Sequence, residues 1–178
     1  MHYRGGTDAE LGQAWVQRHT ETFSKGMTSI GVSPEEYFTL PRHAWTGSWR
    51  HSAGLWSGDI ESSFEELSLQ VRVLQGVMMS GVALWTSDIG GYKNGNPEDL
   101  GFQQLIVRWF QFGAFCPLFR LHGMRVGGPP ADECGKTNGD NEVWNLAKDK
   151  AHYEGIVAVM HHKSEAHKDP EITADQLS

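Results

Sequence analysis

Twice in this chain an apolar lead-in ends in a lone carboxylate with a helix signal directly behind it. No other feature narrows the choice of folds as much. The first instance is Leu55-Trp56-Ser57-Gly58-Asp59-Ile60 and the second Val82-Ala83-Leu84-Trp85-Thr86-Ser87-Asp88. A looser version runs Phe115-Cys116-Pro117-Leu118-Phe119-Arg120-Leu121-His122. The ionisable ends stand roughly 30 residues apart, the length of one strand-helix-strand unit. That spacing predicts successive parallel strands, each with a polar residue at its C-terminal end. In a (β/α)8 barrel this end carries the chemistry.

Taken in order, residues 8–27 read as a helix. Asp8 caps it, Glu10 favours its first turn, and Gly26 stops it. Tyr37-Phe38-Thr39-Leu40 reads as a short strand ahead of Pro41-Arg42, and 43–54 as loop. Behind Asp59, Ser62 and Glu65 form a capping box. Phe64, Leu67, Val71, Leu74 and Met78 then keep helical spacing up to Gly81. Behind Asp88, a sharp turn at Gly90-Gly91 precedes Asn96 as N-cap and Pro97 in the first helical position. The apolar face of that helix is Phe102, Leu105, Ile106, Trp109 and Phe110. Residues 115–121 read as the last strand, 123–141 as a long loop and 141–160 as a closing helix. Residues 1–160 make the domain, and 161–178 a polar, frayed tail. The fold class is α/β with about four parallel strands. A closed barrel needs eight and roughly 250 residues, so either the sheet is open or the chain supplies one half of a barrel.

Composition excludes several roles. A net charge of −7 argues against a nucleic-acid partner, which needs clustered Lys and Arg. No apolar run approaches the roughly 20 residues that span a bilayer. The opening residues lack the apolar core of a secretion signal. Cys116 sits among apolar neighbours and reads as a buried small hydrophobe, and its spacing to Cys134 defines neither a metal pair nor a disulfide framework. Compartment stays open. His152, His161, His162 and His167 lack helical metal-ligand spacing and read as a solvated tail. Neither metal nor cofactor is expected. Trp109, Phe110, Phe112 and Phe115 read as core packing.

Arg42, Asp59, Asp88 and His122 all fall at predicted strand ends. Two carboxylates, a guanidinium and an imidazole on one rim suit a hydroxyl-rich substrate. Carboxylates accept from sugar hydroxyls, Arg orients them, and an acid of raised pKa protonates a glycosidic oxygen. The competing explanation is that Asp59 and Asp88 only cap the helices behind them. The paired Trp-containing contexts favour the site.

Four blocks now stand together: Arg42-x-Ala44-Trp45-x-Gly47-Ser48-x-Arg50, Leu55-Trp56-Ser57-Gly58-Asp59-Ile60, Ser87-Asp88-Ile89-Gly90-Gly91-Tyr92, and Arg108-Trp109-x-Gln111-x-Gly113-Ala114-Phe115-x-Pro117-x-x-Arg120-x-His122-Gly123. In this order they resemble glycoside hydrolase family 31 over about residues 8–146. That family holds retaining α-glucosidases and α-xylosidases on a (β/α)8 barrel. The resemblance implies that Asp59 is the general acid/base. It implies sugar-binding roles for Arg42, Asp88 and His122, and makes Trp56 and Tyr92 walls of the same subsite. Asn141-Glu142-Val143-Trp144 is similar to the segment before the last barrel helix. Tyr92 stands where the family usually has Phe, which adds a hydroxyl. Leu121 stands where it usually has Asn, which removes a hydrogen-bonding side chain beside His122.

Retaining hydrolysis needs two carboxylates about 5–5.5 Å apart. The family's nucleophile, an Asp in a Trp-x-Asp motif on the fourth strand, has no match here. The resemblance therefore implies a partial (β/α)8 TIM barrel, about strands five to eight with their helices. The expected partners are an α-linked oligosaccharide or glycoside and a separately supplied N-terminal half-barrel, with no hydrolysis by this polypeptide alone. The rival readings are a sugar-binding remnant, a barrel-completing subunit, or an unrelated open α/β domain.

Overall fold

The computed structural model describes residues 2–3, 5–126 and 141–168. Strands β1 (His2–Tyr3) and β2 (Gly6–Thr7) pair antiparallel ahead of helix α1 (Asp8–Ser29). A 3-10 turn, Ser48–His51, interrupts what reads as loop. Then follow β3 (Leu55–Trp56), α2 (Phe64–Met79), β4 (Trp85–Thr86), α3 (Leu100–Gly113), α4 (Val143–Leu146) and α5 (Lys150–Lys168).

β3 and β4 pair in parallel, with Leu55 opposite Trp85 and Trp56 opposite Thr86. Single parallel bridges continue the order on both sides, Thr39 with Ala53 and Ile89 with Leu121. The segments at 39, 53–56, 85–89 and 121 thus lie side by side in chain order, as the spacing predicts. The two outer strands are much shorter than the sequence suggests. The 37–40 segment contributes one bridge before Pro41. At 115–121, beside the bridge to Ile89, Leu118 N donates to the Trp85 carbonyl at 3.3 Å and the Cys116 thiol meets the Ser87 backbone, while Pro117 has no N–H to add.

Above these strand ends the ladder goes on through the loops. Glu61 bridges Lys93 and Gly95 bridges Arg125, again in parallel. Tyr92 and Lys93 both donate to the Ile60 carbonyl, and Met124 N donates to the Tyr92 carbonyl at 2.7 Å. The loops at 60–62, 92–95 and 124–126 therefore form a second tier that fixes the rim.

The core lies where α3 packs beneath α5 and the sheet. Phe102, Leu105, Ile106, Trp109 and Phe110 are all buried, together with Ile89, Leu146 and Ile156. Cys116 is also buried, but Phe115, which the sequence reading puts in the core, is 82% exposed.

Two caps shift. α2 is capped by Ser63 rather than Ser62: Ser63 is extended, and its Oγ accepts from Glu66 N at 3.1 Å. α3 is capped by Asp99, whose carboxylate takes the Gly101 and Phe102 N–H groups. Asn96 instead makes the turn before it, accepting from Glu98 N and Asp99 N. The stripe on α2 splits: Leu67 is buried, while Phe64, Val71 and Met78 are exposed on one seam. The single closing helix read at 141–160 breaks at Ala147. Asp149 restarts it by accepting the Ala151 and His152 N–H groups. α5 then runs past His161 to Lys168, into the segment read as a tail. Most of the long loop (127–140), Cys134 and residues 169–178 lie outside the described residues.

Candidate active site

Asp59 follows β3 through Gly58, whose φ of 76° turns the chain so that the carboxylate stands at the rim. Its side chain is 35% exposed, and Arg42 Nη2 lies 3.1 Å from its Oδ2. The Arg42 guanidinium in turn rests over the Trp56 ring, 5.2 Å from the centroid. This stacking orients the cation that meets Asp59. The Trp56 Nε1 is buried with no hydrogen-bond partner among the described residues.

Asp88 lies one strand over and lower. Its N–H donates to Ser57 Oγ at 3.0 Å, tying the two strand ends together. The side chain is fully buried and ion-paired with Arg120, Nη1 to Oδ1 at 2.5 Å. Burial pushes its carboxyl up to about 6; Arg120 pulls the other way, Asp59 adds to the rise, and Arg125 opposes it.

His122 follows Arg120 by two residues, so strand alternation puts both on one side while Leu121 turns to the apolar core. Leu121 thus serves packing. The His122 ring lies 5.4 Å from that of Tyr92, and the Tyr92 hydroxyl donates weakly to Met124 Sδ at 3.5 Å. Burial lowers the His122 pKa, with Arg120 and then Arg125 helping and Asp59 opposing. The Asp59 charge therefore reaches both Asp88 and His122. Arg42, Trp56 and Asp59 form one half of the rim, Tyr92 and His122 the other, with Asp88 sealed beneath.

Two cations beside the candidate site carry little signal in the sequence. Arg120 stands inside a quoted motif, and its spacing to His122 carries the signal. Arg125 carried none, because an Arg three residues past His122 reads as surface charge.

A model of the glycosyl hydrolases family 31 TIM-barrel domain matches residues 6–159. The chain belongs to this family. It is 37% identical over 123 residues to an uncharacterized family 31 glucosidase, ORF2, of Pseudescherichia vulneris, covering 69% of this chain and 23% of that protein. To an α-xylosidase of Saccharolobus solfataricus it is 40% identical over 122 residues, 65% of this chain and 16% of the other. Among solved structures, a family 31 α-xylosidase from a soil metagenome, complexed with xylose, aligns with a TM-score of 0.83 at 34% identity, over 92% of this chain and 25% of that one. The chain thus spans about a quarter or less of the family 31 proteins it matches. It carries part of a (β/α)8 barrel domain.

Proposed function

We propose that residues 1–160 are the C-terminal half, about strands five to eight, of the catalytic barrel of a retaining α-glycosidase of the α-glucosidase or α-xylosidase type. The observation that carries this is the half-exposed Asp59 carboxylate at the rim, held by an Arg42 that stacks on Trp56.

Asp59 is the general acid/base in this reading. It protonates the glycosidic oxygen as the sugar leaves, then deprotonates the water that releases the sugar with retained configuration. Arg42 keeps Asp59 oriented between those steps and binds sugar hydroxyls. His122, neutral because burial and two neighbouring guanidiniums disfavour its cation, offers the sugar a hydrogen-bonding ring nitrogen. Trp56 and Tyr92 form apolar walls. Asp88 is fully buried, so in place of direct sugar contact we assign it support of the rim from below, through Arg120 and Ser57.

The nucleophile has no candidate in these residues, so we assign it to a strand supplied by the N-terminal half of the barrel. A cleft of about 410 Å³ lies between α1 and the 42–45 and 55–56 segments, lined by Gly12, Val16, Arg42, Trp45, Leu55 and Trp56. Exposed Trp15 and Phe23 on α1 add apolar surface that favours association.

The test compares the chain alone with the chain joined to the N-terminal half-barrel of a family 31 α-xylosidase, using nitrophenyl α-xyloside and α-glucoside. No turnover is expected alone, and turnover lost in Asp59→Ala is expected in the joined protein. Turnover by the chain alone overturns the assigned source of the nucleophile. Joined-protein activity indifferent to Asp59→Ala overturns the acid/base role.

A further inference from the structure

The turn at 89–91 and the backbone of His122 meet around one buried cation. Arg125 is 6% exposed. Its Nη1 donates to the Gly91 carbonyl at 2.8 Å and the Gly90 carbonyl at 3.4 Å. Its Nη2 donates to Ile89 at 3.3 Å and His122 at 3.4 Å, and its Nε to Asn141 Oδ1 at 3.1 Å. The guanidinium lies over the Phe102 ring, 5.2 Å from its centroid. A planar fork of donors suits such a ring of carbonyls; the point charge of an ammonium does not.

Glycines from separate segments keep the space open. A Cβ on Gly90 would stand 3.0 Å from Arg125 Nη2, one on Gly95 2.7 Å from Nη1, and one on Gly123 2.6 Å from Nη1. Burial pushes Arg125 down to about 10, with Asp88 opposing, so it stays charged at neutral pH. No carboxylate touches it among the described residues. A buried cation satisfied by carbonyls is costly compared with apolar packing, and what it grips is the candidate site. The turn leads from Asp88 to Tyr92, and the other segment begins at His122.

We propose that Arg125 is a positioning residue of the sugar site, clamping the 89–91 turn to the His122 backbone and so setting how the Tyr92 and His122 rings face each other. This rests on the site reading given above, but its test needs no turnover.

NMR of the chain with Arg125→Lys, Arg125→Gln and Asn141→Ala decides it. The His122 imidazole is faced by the charges of Asp59, Arg120 and Arg125 and by the Tyr92 ring. Arg125→Gln is expected to raise the His122 titration midpoint and to abolish the Tyr92–His122 ring NOE. Arg125→Lys keeps the charge and loses the fork: the midpoint stays near that of the parent, and the NOE is still lost. An NOE retained in the folded Lys variant would overturn the clamp. Should both Arg125 variants unfold by far-UV circular dichroism, Asn141→Ala decides by the same signal: a weakened NOE supports the clamp and a full-strength one overturns it. In a separate arm, xylose is titrated into the parent chain. Shifts at Tyr92 and His122 support the sugar reading; their absence counts against that reading alone, because the NOE judges Arg125.

Discussion

Arg120 Nη1 lies 2.5 Å from Asp88 Oδ1 across neighbouring parallel segments, while the other oxygen, Oδ2, is buried without a hydrogen-bond partner among the described residues. The pair is held in register by Ile89 N, which donates to the Arg120 carbonyl at 3.2 Å. Burial outweighs the ion pair, so the carboxyl titrates at about 6 in the fold against 3.8 ordinarily. Between these values the folded chain holds a proton that the unfolded chain has released. The contribution of Asp88 to stability therefore falls as pH rises through this window and stays low above it. Asp88→Asn removes the titration. Relative to the parent, its stability is expected to improve by on the order of 2 kcal/mol from about pH 4 to about pH 7. Urea unfolding across that range checks it, and a difference that stays flat with pH refutes the assignment.

Gly91 and Gly58 separate two costs that glycine avoids. Both are left-handed, at φ 73° and 76°. A Cβ on Gly91 would lie 2.5 Å from the Glu61 carbonyl oxygen, whereas one on Gly58 meets nothing within 4 Å. Gly58→Ala is expected to cost about 1–2 kcal/mol, the backbone term alone. Gly91→Ala adds a backbone clash in the second tier and is expected to cost about 3 kcal/mol or more. Thermal unfolding of both variants gives the order; equal losses mean that the tier yields.

The strand-helix rhythm was legible because parallel strands end in polar residues at a spacing that the connecting helix dictates. The buried face of α3 was legible for the same kind of reason: Phe102, Ile106, Trp109 and Phe110 keep one period and share one environment. At the starts of α2 and α3 the structure differs from the sequence expectation because neighbouring side chains compete to cap. Ser62 and Ser63 have the same chemistry, and it is Ser63, with its backbone extended, whose Oγ receives the Glu66 N–H. The fit of Asn96-Pro97 to a helix start is equally good for the turn that it makes. At the candidate site, the motifs point to the rim residues but not to the depth of Asp88, which Ser57 and Arg120 meet from other segments. Arg125 is further still from the sequence: its role exists only once Gly90, Gly95 and Gly123 converge on it.

Lys163 joins the last helix to the end of α3. Its ammonium donates to the Ala114 carbonyl at 2.7 Å and to Cys116 at 3.4 Å, groups that the α3 ladder leaves free. A cation at a helix C-terminus also meets the negative end of the helix dipole. Lys163→Met keeps the aliphatic stem and removes both effects, for an expected loss of about 1 kcal/mol. Salt discriminates the causes: a loss that shrinks at high ionic strength is the dipole's share.

Asp99 and Asn96 compete for the start of α3, and substitution ranks them. Asp99 accepts from Gly101 N at 3.0 Å and Phe102 N at 3.3 Å, and it places a negative charge at the positive helix end. Asn96 accepts from Glu98 N alone with its side chain, at 3.1 Å, in an exposed turn. Asp99→Ala is expected to cost about 1–2 kcal/mol, and Asn96→Ala less than half of that. Because α3 carries the core, the Asp99 loss should appear in global unfolding by denaturant, with an unchanged slope. If Asn96→Ala proves the more damaging, the helix begins at Pro97 and the α3 boundary moves by a turn.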